Sequence, residues 1–376
     1  MRGVGWARAL LFLTVSGCAF FRQLGGTNTI DLEKADVKAM GVDVRKTQKT
    51  ICPREKVQLA VFMDVGLSGE KDVKKVETWK GPHGTNRNGM IDFGEFVFQS
   101  ANGRVDEDGW FTPNANLAVT SGKEFEIKTI FKKRPDKFSM TTTYKPDYDC
   151  IKGAGRDGKS GDTGSAGSAG TNGNSGTSGS YTTQYKPGTS SGPSTSTQVQ
   201  GPGGNGSAGG PGGNGGKGGD GENGPRLTLM VTLVKTAFYD RLVAVRIAGE
   251  IDDLLLYPPE VVLNLRATGG SGGNGGAGGK GGSGGAGGSG NPAGSKGADG
   301  ANGTQGAGGN GGAGGIVDIN YDPRFEKELR AAIRGTVSAG TGGSGSSRGQ
   351  DGPPGRLTWL AGDVRSSFPA GIEVLP

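Results

Sequence analysis

Few residues in this chain have the type and spacing that chemistry needs. There is one histidine, His83, held between Pro82 and Gly84 in a polar stretch. A Ser-His-Asp arrangement would have a single base to build on, and a turn is a poor place to hold it. Asp106 and Asp108 stand beside the Asp108–Gly109 turn. Carboxylates placed there cap backbone N–H groups more readily than they work as an acid–base pair. No other pair of carboxylates suggests a cleft. The chain is therefore expected to be non-catalytic and to need no cofactor.

One stretch has part of a metal-binding pattern. Residues 84–96 read GTNRNGMIDFGEF, with Asn86, Asn88, Gly89, Ile91, Asp92 and Glu95 at offsets 3, 5, 6, 8, 9 and 12 of an EF-hand calcium loop. Gly84 stands where the first offset needs an aspartate. Pro82 and the strand-like flanks favour an Asn-Gly hairpin running into a strand. Both readings stay open, with Asn86, Asn88, Asp92 and Glu95 as the candidate calcium ligands.

The N-terminus carries an export signal. Residues 1–18 read MRGVGWARALLFLTVSGC. Arg2 and Arg8 give a positive start. The apolar run from Ala9 to Val15 is too short to span a bilayer, which needs about 20 residues, and it has the size of a signal-peptide apolar segment. Val15, Ser16, Gly17 and Cys18 resemble the lipobox of bacterial lipoproteins: an aliphatic residue, two small ones, then cysteine. The resemblance implies cleavage after residue 17, diacylglycerol on Cys18, and a partner in the membrane. Ala19, rather than aspartate, implies sorting to the outer membrane, on its periplasmic or exposed face. The alternative is an ordinary signal peptide with an incidental cysteine. With Cys18 assigned to lipid, Cys52 and Cys150 remain as an even pair in an oxidising compartment, and they are expected to bond to each other. Two free thiols are the alternative.

Composition limits what the rest can be. The chain holds 78 glycines and only 32% hydrophobic residues, so no single apolar core can run through all of it. The net charge is +6, but basic and acidic residues are mixed and no Lys/Arg run interleaves with aromatics. Nucleic-acid binding is not expected. The mild excess favours at most an anionic envelope polysaccharide as a partner.

The expected fold is mainly β. Residues 18–50 read as a tether with a short helical stretch around Leu32–Met40. Residues 51–151 read as a disulfide-closed antiparallel β-sandwich. VQLAVFMD at 57–64, MIDFGEFVF at 90–98, EFEIKTIFK at 124–132 and FSMTTTY at 138–144 are its strands, with Asn-Gly and Asp-Gly turns between. A second β unit covers 226–268 (RLTLMVTLV, LVAVRIA, EVVLNLRA). Residues 316–339 add a strand (IVDINY) and a helix that starts at Asp322–Pro323 and runs to about Arg334. Residues 340–376 hold a short glycine tract and two strands, RLTWL and GIEVL.

Glycine tracts fill 152–225 and 269–315, with a Ser/Thr-rich linker at 180–200. A flexible linker needs no register, yet these tracts keep one. Every third residue is glycine over 155–179 and 203–224, and again over 270–315 except at Asn291. Over 269–290 the pattern tightens to Gly-Gly-X. A period of three indicates an extended helix with three residues per turn. Three readings follow: a laterally hydrogen-bonded polyglycine II bundle, disordered spacers, or a collagen trimer. Proline is absent from 155–179, which disfavours collagen. In a bundle, Gly-Gly-X leaves two bare edges and Gly-X-X one, so 269–290 should lie deeper than 155–179. Asn291-Pro292-Ala293 should fold the longest tract into two legs.

As a whole the chain resembles bacterial glycine-rich, collagen-like lipoproteins. Its tracts look like the polyglycine II bundles of glycine-rich antifreeze proteins and of some phage receptor-binding tips. These resemblances imply a structural or adhesive surface role. The alternative is a glycan- or ice-binding module that uses the exposed face of the bundle.

Overall fold

The computed structural model describes residues 29–33, 35–46, 49–66, 72–81, 89–189, 193–369 and 372–376. Cys18 and the rest of the expected export signal lie outside the described residues, as do His83, Asn86 and Asn88.

The first unit is a two-sheet sandwich. One sheet contains β1 (Asp36–Val44), β3 (Val57–Gly66), β4 (Val73–Glu77), β6 (Gly103–Val105) and β7 (Trp110–Pro113), in the order β1-β3-β7-β6 with β4 also on β3. The other contains β2 (Thr50–Ile51), β5 (Phe96–Gln99), β8 (Phe125–Phe131) and β9 (Ser139–Pro146), in the order β2-β9-β8-β5. In β8 the alternation buries Phe125, Ile127, Thr129 and Phe131. These meet Leu59, Val61 and Met63 of β3 in two adjoining core clusters.

Two expectations fail here. The helical stretch around Leu32–Met40 is absent, and Asp36–Val44 is a strand antiparallel to β3. Gly41 weakens any helix there, whereas Val37, Val42 and Val44 supply buried β-branched side chains. The strand expected over 90–98 begins only at Phe96. Phe93–Glu95 is instead a 3-10 turn, with Asp92 accepting from the Gly94 N–H.

The second unit has two sheets of its own. The larger has the order β15-β14-β13-β17-β19: β13 (Arg226–Lys235), β14 (Leu242–Gly249), β15 (Asp253–Tyr257), β17 (Ile316–Tyr321) and β19 (Arg356–Ala361), with β20 (Glu373–Val374) on β13. The smaller is all-parallel: β10 (Gly153–Gly155), β16 (Leu263–Arg266) and β18 (Ile333–Thr336). Helix α2 (Glu326–Ala332) joins β17 to β18 behind a 3-10 turn that Asp322 caps and Pro323 opens. It stops short of Arg334, because Ile333 already pairs with Leu263. Leu227, Val231, Tyr257, Leu265 and Leu329 are fully buried between these layers. The sandwich docks beside them through Leu117 of α1 (Leu117–Thr120), Tyr148 and Ile151, which share that core.

The chain leaves and re-enters this unit three times in the same way. Each time a strand of the small parallel sheet runs into a glycine leg, the leg turns back, and the return leg enters a strand of the large sheet. β10 leads out and β13 returns, then β16 and β17, then β18 and β19.

Candidate functional site: the glycine bundle and its tip

The three excursions form six legs: leg 1 (156–180), leg 2 (201–225), leg 3 (268–290), leg 4 (294–315), leg 5 (337–345) and leg 6 (347–355). Legs 1, 3 and 5 make one parallel row and legs 2, 4 and 6 a second row running the other way. Within the first row, Gly164 N–H donates to Asn274 O and Gly272 N–H to Thr341 O, each at 2.8 Å. Within the second, Gly212 N–H donates to Ala301 O at 2.9 Å and Gly311 N–H to Gln350 O at 2.8 Å. Between rows, Gly216 N–H donates to Ser165 O, Gly276 N–H to Gly216 O and Gly306 N–H to Gly276 O, at 2.7, 2.9 and 2.8 Å.

The sheets set the register of the legs. Gly155 pairs with Arg266, and just beyond them Gly158 N–H donates to Thr268 O. Arg226 pairs with Ile316, and just before them Gly224 N–H donates to Ala313 O. A parallel ladder places each N–H opposite the residue preceding its partner, so strand and leg are in one continuous register. The two layers of strands become the two rows of the bundle without a slip.

Side chains follow the packing. Leg 3 touches legs 1, 2, 4 and 5, and it is Gly-Gly-X throughout. Gly270, Gly273, Gly276 and Gly279 are buried while Ser271, Asn274, Ala277 and Lys280 are exposed. Leg 1 touches only legs 2 and 3, and it is Gly-X-X with half-buried glycines. The deeper position expected for 269–290 is the one found. In leg 4 the second glycine appears at Gly308, where leg 6 begins to pack: Gly308 N–H donates to Ser347 O at 2.9 Å. The Asn291-Pro292-Ala293 turn joins legs 3 and 4 as expected.

Asparagine and aspartate close several of the outward N–H groups. Ser295 N–H donates to Asn205 Oδ1, Thr304 N–H to Asn214 Oδ1 and Ser344 N–H to Asn274 Oδ1, each at 2.9 Å. Asn310 N–H donates to Asp220 Oδ1 at 2.7 Å, and Asn310 Oδ1 in turn accepts from Gln350 N–H at 2.9 Å. The Asn310 N–H holds the Asp220 carboxyl below its ordinary value. Asp299 is lowered by Lys296 and by the Gly284 N–H, and Asp351 by the Gly342 N–H and Arg348. The exposed asparagines thus serve the bundle's own frame, a role that composition alone did not reveal.

The linker expected over 180–200 is a β-ribbon at the far end. β11 (Tyr181–Lys186) and β12 (Thr195–Gln200) pair antiparallel, with all but Gln200 exposed. Tyr and Thr residues before a Pro-Gly…Gly-Pro segment, and alternating Thr195, Thr197 and Val199 after it, were its sequence signal. At about 3.1 Å per residue, leg 1 carries this ribbon roughly 75 Å from β10.

The other candidate residues lie in the sandwich. Cys52 and Cys150 are bonded, with Cα atoms 6.1 Å apart. Asp92 is occupied as a turn cap, and Glu95 pairs with Lys133 at 3.2 Å. Asp106 Oδ1 accepts from the Asp108 and Trp110 N–H groups, as its turn position implied. A cleft of about 510 Å³ lies among Trp79, Phe93, Phe98, Asp92, Asp106 and Asp108. Another of about 560 Å³ lies between the two units, where Arg246 pairs with Asp252 at 2.7 Å and Arg54 with Asp253 at 2.5 Å. Among the described residues no group of three or more His, Cys, Asp or Glu is placed to hold a metal, and no helix is long and apolar enough to cross a membrane. Comparison with protein-family models, with curated proteins and with solved structures returned no match.

Proposed function

We propose that this chain is a non-catalytic, lipid-anchored cell-envelope protein with a structural or adhesive role. Polyglycine II helices act in it as a rigid spacer that holds the end ribbon away from the membrane. The observation that carries this reading is the bundle itself: three glycine hairpins bonded edge to edge, in register with the sheets at their base. A spacer of fixed reach needs such lateral bonding, because an unbonded glycine chain collapses to a coil. Anchoring rests on Val15-Ser16-Gly17-Cys18, and export is consistent with the bonded Cys52 and Cys150.

Fatty-acid labelling of cells that express the full chain tests this reading. Labelled protein in the outer-membrane fraction is expected, and Cys18→Ala should lose both label and membrane association. Unlabelled wild-type protein in the soluble fraction would overturn the anchor. A second reading, a glycan- or ice-binding bundle face, draws on the rows of small side chains, such as Ser178 beside Ser289 and Thr341 beside Ser271. Thermal hysteresis that is lost in Ala277→Lys would favour it.

A further inference from the structure

Tyr181 and Tyr185 are the most exposed large apolar side chains among the described residues, each at 66%. The ribbon that carries them has no core to join, so neither ring contributes to burial. The pairing register fixes what surrounds them. Tyr181 is opposite Gln200, Thr183 opposite Gln198, and Tyr185 opposite Ser196. Directly paired residues share a face, so one face presents two tyrosines, two glutamines, a threonine and a serine, with no charge. Lys186, the one charged residue of the two strands, falls on the other face, as does Val199. Gln198 lies diagonal to both rings. The two tyrosines are separated by four strand residues, about 13 Å, enough for a short run of linked rings rather than a single one.

We infer that this face is a binding site for a neutral oligosaccharide. The inference rests on the spacer reading above and names what the spacer presents. Aromatic faces stack on the C–H faces of sugar rings, and the flanking amides and hydroxyls satisfy sugar hydroxyls as donor and acceptor at once. An uncharged platform has nothing to pair with a polyanion or a polycation, which commits it to a neutral ligand. The flat sides of the bundle offer less. Their side chains are small, and many of their Asn and Asp oxygens already accept backbone N–H groups. Placement agrees with this: the ribbon stands at the end of the longest legs, clear of the β units.

The test uses the full chain in detergent micelles, presented with immobilised malto-, cello-, manno- and N-acetylchito-oligosaccharides, and with heparin and polygalacturonate as charged controls. Saturable binding to at least one neutral member is expected. Tyr181→Ala and Tyr185→Ala should each weaken it roughly two- to tenfold, and more together, while Tyr185→Phe keeps the stack. Ala277→Lys on the bundle face should bind as wild type. Unchanged amide protection of the leg glycines in each variant shows that the frame is intact. Wild-type failure on every neutral glycan overturns the inference, as does equal binding by the double alanine variant. Tyrosine-dependent pairing of the ribbon with a second copy or an extended peptide overturns it too. Loss of glycan binding with Cys18 still lipidated refutes this inference alone. Glycan binding by a chain that is never lipidated refutes only the anchor.

Discussion

Gly276 tests the packing most directly. It lies at the middle of the bundle, where its N–H donates to Gly216 O at 2.9 Å and its carbonyl accepts from Gly306 N–H at 2.8 Å. A methyl group on Gly276 would point into leg 1, overlapping the Ser165 carbonyl and lying 2.6 Å from Gly164 O. Ordinary contact begins near 3.4 Å, so leg 1 must retreat by at least about 0.8 Å. The bonds from Gly164 N–H to Asn274 O and from Gly167 N–H to Ala277 O, both 2.8 Å, would then stretch to about 3.6 Å, beyond hydrogen-bond range. Two lost bonds at about 1 kcal/mol each, plus the desolvation of any group left unpaired, amount to roughly 2–5 kcal/mol. Against this stands the usual gain from replacing glycine with alanine, about 0.4–1 kcal/mol through the unfolded chain. Gly276→Ala should therefore destabilise by about 1–4.5 kcal/mol. The exposed neighbour Ala277→Ser should change stability by less than about 0.5 kcal/mol. Denaturant unfolding gives the first number, and amide exchange at Gly164 and Gly167 locates the damage. If Gly276→Ala proves neutral or stabilising, the tract is a free spacer and the packing argument fails.

Two further outcomes follow from groups at the edges. Asp220, Asp299 and Asp351 have carboxyl values held below the ordinary 3.8, so their contribution is complete above about pH 4–5 and is lost as pH falls through the lowered values. The thermal midpoint should change little from pH 7 to about 5 on their account and drop below the ordinary carboxylate range, and converting all three to asparagine should reduce that drop. The bond between Cys52 and Cys150 closes a separation of 98 residues, so Cys52→Ser with Cys150→Ser should cost about 4–5 kcal/mol in the chain-entropy account, read as a lower denaturant midpoint with an intact bundle; a change under about 1 kcal/mol would put the sandwich's stability in its two cores instead.

Much of this architecture is legible in the residues because glycine spacing is itself a packing code. A bare edge is needed wherever a neighbouring backbone lies within reach, so Gly-X-X marks a flank and Gly-Gly-X an interior leg. The change of pattern at Gly308 marks the height of the third hairpin. The six-leg order is not legible, because which tract lies beside which is set by β10, β16 and β18 at one sheet and by β13, β17 and β19 at the other. Propensity misled at Leu32–Met40, where pairing with β3 decides the outcome, and at Phe93–Glu95, where the Asp92 cap shortens a strand. The ribbon at 181–200 was obscured by its polar composition: with no buried face, it lacks the hydrophobic alternation by which strands are usually recognised.

Because each leg is tied to a strand at its base, insertions should obey a rule of three. One residue added after Gly276 turns the rest of leg 3 by a third of a revolution. Ala277, Lys280 and Ser283, now outside, would swing onto the edge held by Gly278, Gly281 and Gly284, where a methyl group at Gly281 or Gly284 would already crowd Ala301 O at 2.8 Å and Ala298 O at 2.7 Å. The lateral bonds of every later triplet are lost, because legs 1, 2 and 4 pack on leg 3 beyond Gly276 and only the edge of its exposed third residues is open. Three residues, Ala-Gly-Gly, added at the same point move the leg by one repeat, about 9 Å. Each glycine then meets the next equivalent carbonyl, and only the turn at 291–293 must lengthen. The single insertion should abolish amide protection in legs 1 to 4 beyond residue 276, while the triplet keeps it. If both are tolerated alike, the register that joins the sheets to the legs is not what holds the bundle. If both abolish protection, the glycine repeat is not interchangeable and specific side-chain contacts, such as Asn172 Oδ1 accepting from the Ser283 N–H, set the register instead.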